Sequence, residues 1–141
     1  MAKPFSDSVK YKSQKTEDNH EISVQSLKFA DKRVLFVKFD GEVDITYDVQ
    51  APDSKSLYDI LSSSTISNDF TCDKTCLMGD GSNIKVAVII NHIAKLLYST
   101  SERTGLIISI SSKLFKNQQT SNSKDFDILI QILSLIKEVI N

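Results

Sequence analysis

The side chains best suited to nucleophilic or metal chemistry in this 141-residue chain are two cysteines and two histidines. Cys72 and Cys76 are flanked by threonines, which favour a β-strand. On a strand the two thiols would lie about 13 Å apart, too far for a disulfide. His20 and His92 lie at no spacing that zinc sites use with these cysteines. We therefore interpret the cysteines as free thiols packed as small apolar side chains, and predict no metal site.

Other catalytic motifs are equally sparse. The sequence has no Gly-x-Ser-x-Gly elbow and no His-Glu-x-x-His helix. The Gly-Asp-Gly-Ser turn at 79–82 lacks the Lys-Ser/Thr ending of a P-loop, and Asp80 would repel a phosphate. Asp44 and Asp48 alternate along one strand, as is typical of a solvated face. We predict no catalytic residue and no cofactor; an enzyme that pairs a cysteine with a histidine stays an alternative without a supporting motif.

Composition sets the class of protein that these residues belong to. The chain is 40% hydrophobic and 25% charged, with a net charge of −1, as is ordinary for a soluble globular domain. This balance predicts no binding to nucleic acid or to an anionic membrane. The first residues lack the apolar core that a signal peptide needs, and no later run of apolar residues is long enough to predict a membrane helix. We expect a single domain over residues 1–141, located in the cytoplasm or the nucleus.

Residues 33–49 predict a β-hairpin around the Asp40-Gly41 turn. Its second strand alternates apolar with mostly acidic residues, so one of its faces is solvated. Its first strand differs because it is apolar on both sides, with Leu35, Val37 and Phe39 on one face and Val34 and Phe36 on the other. Both faces of this strand therefore need a cover.

The segment before this hairpin predicts two more strands. Residues 9–11 suit a weak strand, and residues 21–29 a strong one. Leu27 and Phe29 are out of phase with the apolar residues before them, so we predict a bulge near residues 25–26 that keeps all of them inside. The short connections favour an antiparallel meander of three or four strands.

The second half of the chain predicts alternating strands and helices. Strands are expected at 70–78 and 105–110, and helices at 83–98 and 126–140, with Ser82 or Asp80 capping the first helix. Polar segments near 51–70 and 116–124 predict mobile loops. The fold class is therefore α+β, with an antiparallel sheet of about six strands and two helices packed on one face.

Such a domain has more apolar surface than two helices and one sheet can bury. The strand at 105–110 is also apolar on both faces, and the last helix carries Ile128 and Leu135 beside its inward stripe. We predict that the free sheet face stacks on a partner's sheet. The predicted interface residues are Val34, Leu35, Phe36, Val37, Ile128 and Leu135.

Three segments resemble one known family. Residues 34–41 are similar to an aliphatic strand that ends in an aromatic residue and Gly, and residues 75–79 to a strand that ends in Gly. Residues 105–110 and 125–140 are similar to the family's closing strand and helix. In this order the segments resemble the third and fourth proteasome assembly chaperones, small proteins that work as a heterodimer. The resemblance extends from about residue 10 to residue 140.

This resemblance implies a non-enzymatic chaperone. It would pair with a related small subunit or with itself, bind an alpha-type subunit of the 20S proteasome and promote assembly of the alpha ring. The resemblance leaves open which of the two chaperone types this chain represents. The alternative is a roadblock or longin-like scaffold for small GTPases or trafficking complexes, although those domains usually place a helix before or between the hairpins.

Overall fold

The computed structural model describes residues 9–15, 19–51, 73–100, 104–115 and 123–140. Nearly all of the two predicted loops, near 51–70 and 116–124, lies outside these residues, as does Cys72. The last helix includes residues 123 and 124, which had been predicted as loop.

Six strands, two α-helices and one short 3-10 helix make up the described fold. In chain order they are β1 (Val9–Lys15), β2 (Glu21–Lys28), β3 (Lys32–Phe39), β4 (Ile45–Val49), β5 (Lys74–Met78), α1 (Ile84–Ser99), β6 (Gly105–Ile110), the 3-10 helix (Ser112–Phe115) and α2 (Ser123–Ile140). The strands form one sheet in the order β1-β2-β3-β6-β4-β5. Every pair is antiparallel except β3 and β6, which are parallel. The predicted α+β class is confirmed, with a mixed and mostly antiparallel sheet.

The turn after β3 forms as predicted, but the hairpin does not. Phe39 and Glu42 exchange two backbone hydrogen bonds of 3.1 Å, and Asp40 and Gly41 have φ values of 50° and 83°, as a two-residue type I′ turn requires. Beyond the turn, β6 lies between β3 and β4 and pairs with both. The predicted pairing of β3 with β4 is wrong because β6, apolar on both faces, takes the central position.

The predicted bulge in β2 is also wrong. The strand pairs in unbroken register with both β1 and β3. Leu27 therefore points away from the core, and Phe29 is 45% exposed. Ser26 takes the core-facing position, fully buried, and its hydroxyl accepts a 2.6 Å hydrogen bond from Arg33 Nη1. Because this buried hydroxyl has a hydrogen-bond partner, placing a serine in the core of a regular strand costs little stability.

Turn chemistry fixes the connection from β5 to α1. Gly79 has a φ of 90°, and a Cβ there would clash with the carbonyl oxygen of Asp44, so the glycine is required. Asn83 caps α1, since its Oδ1 accepts a 3.2 Å hydrogen bond from the Val86 N–H. The predicted caps, Ser82 and Asp80, bond to each other instead.

Both helices lie on one face of the sheet, as predicted. Gln131 of α2 donates a 3.0 Å hydrogen bond to Gln14, and Lys74 donates a 3.1 Å bond to Asn91 of α1. Gln14 and Lys74 sit in register with core residues, which identifies the covered face. The core between helices and sheet contains Ile22, Val24, Leu35, Val37, Phe39, Ile45, Tyr47, Val49, Leu106, Ile108 and Ile110 from the strands, and Val86, Ile89, Ile90, Ile93, Ala94, Leu97, Tyr98, Ile132, Leu135, Ile136 and Val139 from the helices.

Candidate protein-interaction surface

The opposite side of the sheet, here called the open face, carries an apolar row in register across three strands. Leu27 of β2 pairs with Val34 of β3, and Val34 pairs with Ile107 of β6. Phe36 of β3 lies in the next row, two residues along the strand. All four side chains are half-buried. Both described helices pack on the covered face, so neither of them covers this row.

Polar and charged groups surround the apolar row. Lys32 forms an ion pair of 3.4 Å with Asp48 at one end of the face. Lys38 lies over the ring of Phe36, with 5.7 Å between its Nζ and the ring centroid, and donates a 3.4 Å hydrogen bond to Gln25. An apolar centre with a polar rim is the usual composition of a protein interface.

The predicted interface residues divide between the two faces. Val34 and Phe36 lie on the open face, and Ile128 is half-buried on α2. Leu35 and Val37 are 0% exposed and Leu135 is 1% exposed, all three in the chain's own core. These three side chains are therefore not accessible to a partner in this fold.

Two open-face residues had not been included in the predicted interface. Leu27 had been assigned to the core through the predicted bulge, and Ile107 belongs to the strand at 105–110, which was predicted to be apolar on both faces. Strict alternation along each strand, without a bulge, would have placed both of them beside Val34.

A second exposed apolar group lies at the β5 edge of the sheet and at the start of α1. Met78 is 67% exposed and Ile84 is 78% exposed, and the exposed Leu77 and Val88 lie close to them in sequence. We call these four residues the β5-α1 surface. Large apolar side chains left this exposed in a short stretch of chain are typical of contact sites.

Titratable side chains line a shallow cavity of about 420 Å³ at the turn after β3. Its lining residues are His20, Phe39, Asp40, Glu42 and Lys113. Asp40 accepts a 2.8 Å hydrogen bond from the Glu21 N–H and contacts His20 Nδ1 at 2.7 Å. These hydrogen bonds, the backbone one first, lower the pKa of the Asp40 carboxyl. Lys113 donates a 2.5 Å hydrogen bond to Glu42, which raises the pKa of the lysine. The carboxylates of Asp40 and Glu42 therefore each have a side-chain partner beside the turn.

The thiol and the second histidine show no catalytic arrangement with each other. The half-buried Cys76 donates from Sγ to the Met78 carbonyl at 3.3 Å, and His92 is exposed on α1. In the described part of the chain, no group of three or more His, Cys, Asp or Glu side chains could hold a metal ion. Neither described helix has the length and hydropathy needed to cross a membrane.

Comparisons with known proteins agree on one family. The family model for 20S proteasome chaperone assembly proteins 3 and 4 matches residues 2–137. Proteasome chaperone 3 of Saccharomyces cerevisiae is 24% identical over 156 aligned positions, which cover 88% of this chain and 87% of the yeast protein.

A solved structure supports the same conclusion. The crystal structure of a novel chaperone complex for yeast 20S proteasome assembly contains a chain that superposes with a TM-score of 0.67 and is 27% identical. The match covers 92% of this chain and 96% of that one. With its mixed sheet, two helices on one side and apolar open face, the chain belongs to the family of 20S proteasome chaperone assembly proteins 3 and 4.

Proposed function

We propose that this protein is a non-enzymatic assembly chaperone that forms a heterodimer with a related small subunit and promotes assembly of the 20S proteasome alpha ring by binding an alpha-type subunit. We place this activity in the cytoplasm or the nucleus. The observation that carries the proposal is the apolar row Leu27-Val34-Ile107, which lies on the sheet face opposite both helices. The scaffold alternative is not favoured, since both the family model and the yeast relative are proteasome chaperones.

The geometry of the open face suits a second sheet better than a helix or a peptide. The apolar row runs across the strands rather than along one, so a partner must be wide enough to cover several strands at once. Two stacked sheets lie about 10 Å apart with interdigitated side chains. An interface of ordinary size buries about 800 Å² on each partner, roughly the extent of a small sheet face.

An assembly chaperone of this kind needs a further surface for its client. If the open face is occupied by the related subunit, the α1 part of the β5-α1 surface, Ile84 and Val88, stays accessible for a different protein. We assign the alpha-type subunit to this part of the surface, because the exposed Ile84 and Val88, four residues apart on α1, offer two branched apolar anchors on one side of the helix.

The test is co-expression with the fourth-type chaperone of the same organism, followed by affinity capture and light scattering. The wild-type chain should elute as a one-to-one heterodimer and retain an alpha-type subunit from proteasome-depleted extract. Val34→Asp should abolish the heterodimer, because it places a charge at the centre of the apolar row. Val43→Asp is the matched control, since Val43 is an exposed valine outside this row.

Equal heterodimer yields from Val34→Asp and Val43→Asp would overturn the assignment of the open face. A heterodimer that captures no alpha-type subunit would overturn the assembly role while leaving the dimer in place.

A further inference from the structure

Among the residues of the described strands, the open face carries one more positive charge than negative charge. Its charged strand residues are Lys15, Lys32, Lys38, Glu21 and Asp48. Asp48 is paired with Lys32 at 3.4 Å, and Glu21 lies directly opposite Lys15 on the neighbouring strand. Each carboxylate of these strands thus has a lysine beside it. Lys38 is left over.

The surroundings of Lys38 offer it only weak partners. Its Nζ donates to the amide oxygen of Gln25 at 3.4 Å, longer than the usual range of a hydrogen bond, and lies 5.7 Å from the centroid of Phe36. Glu21 faces the same side two residues along β2, but among the described residues Lys38 forms no ion pair. The side chain is half-buried before any partner arrives.

Resting on the proposed heterodimer, we propose that Lys38 selects a different chain over a second copy of this one. Stacking a sheet on the open face removes water from Lys38, and a desolvated ammonium is costly unless a carboxylate meets it. From the described strands of its open face, a second copy brings another surplus Lys38 and two carboxylates that each lie beside a lysine. The occupant of the open face is therefore a related sheet that presents an Asp or Glu opposite Lys38.

Lys38→Met separates the two kinds of dimer because it keeps most of the side-chain volume and removes the charge. Its affinity for the fourth-type chaperone should fall at least ten-fold, while self-association of the isolated chain should rise at least ten-fold, as measured by sedimentation equilibrium. Lys38→Arg should restore heterodimer affinity. The matched control is Lys12→Met. Lys12 pairs with the core residue Val24 and so lies on the covered face, and its substitution should change neither affinity by more than two-fold.

Salt provides a readout that a packing role would not move. The dissociation constant of the wild-type heterodimer should rise with salt concentration more steeply than that of the Lys38→Met heterodimer. Identical salt dependence, or the same direction of change in both kinds of dimer, would overturn the role of Lys38. If Val34→Asp leaves the heterodimer intact, the open-face interface itself fails; if Val34→Asp abolishes the dimer and Lys38→Met has no effect, the selection by Lys38 alone fails.

Discussion

Both faces of β3 carry apolar side chains, but the two faces differ in what covers them. Leu35 and Val37 point toward the helices and are fully buried, while Val34 and Phe36 point the other way and are half-buried. The two described helices both lie on one side of the sheet. An apolar residue on this strand therefore either packs in the chain's own core or lies on the open face, according to the direction in which its side chain points.

Neighbouring isoleucines on β6 test this division with one chemical change. Ile108 lies in the core and Ile107 on the open face. Ile108→Ala should lower the free energy of unfolding by about 2–5 kcal/mol, because it leaves a cavity between sheet and helices. Ile107→Ala should cost about 1 kcal/mol or less in the isolated chain but weaken the heterodimer about ten-fold. Urea denaturation and titration with the partner measure the two effects; similar losses of stability would break the comparison.

A substitution on α1 asks whether the open face and the β5-α1 surface act separately. Ile84→Ser should reduce capture of the alpha-type subunit several-fold, since it removes an exposed apolar anchor. The heterodimer should be unchanged, because Ile84 belongs to the helix on the covered face. Quantitative affinity capture measures both partners in one experiment, with Ile130→Ser, an exposed isoleucine on α2, as the matched control. Loss of the heterodimer in Ile84→Ser would show that the two surfaces are one.

The smallest expected effect concerns the charged turn at the end of β3. Asp40→Asn keeps the turn, because Asn-Gly suits its backbone as well as Asp-Gly, but removes the carboxylate. The pKa of Asp40 is lowered below its usual 3.8, so its contribution to stability is fully present above that pH and is lost as the pH falls through the lowered value. Thermal unfolding from pH 6 to pH 2 should show a small wild-type advantage that disappears at the acid end. An advantage that persists at pH 2 would contradict this charge assignment.

Local sequence patterns predicted most of the helices and strands. They failed to predict strand order, because that order depends on pairing between distant segments of the chain. The bounds of β6 and the turn at Asp40-Gly41 follow from alternation and turn chemistry, and both are confirmed. The insertion of β6 between β3 and β4 is a pairing of segments about 70 residues apart, and no local pattern encodes it. The apolar excess of β6 was the available clue, because a strand apolar on both faces suits the middle of a sheet.

For the same reason, only some of the predicted interface residues lie on the open face. Sequence identified β3 as a strand with a face to spare, and Val34 and Phe36 do lie on the open face. The sequence does not show which face of β3 the helices cover, so Leu35 and Val37 were included in the predicted interface. Ser26 misled the prediction for β2, since a buried serine at a core position is tolerated only because Arg33 bonds to it.

The central position of β6 also dictates when the sheet can be completed during synthesis. β1, β2 and β3 form a local meander that can pair as soon as residue 39 has left the ribosome. β4 follows immediately in sequence, yet its place in the sheet is beside β6, so it must wait until residue 110 emerges. For that interval the parallel edge of β3 is exposed, and the nascent chain depends on rapid closure, or on protection by another protein, to avoid pairing with the wrong strand.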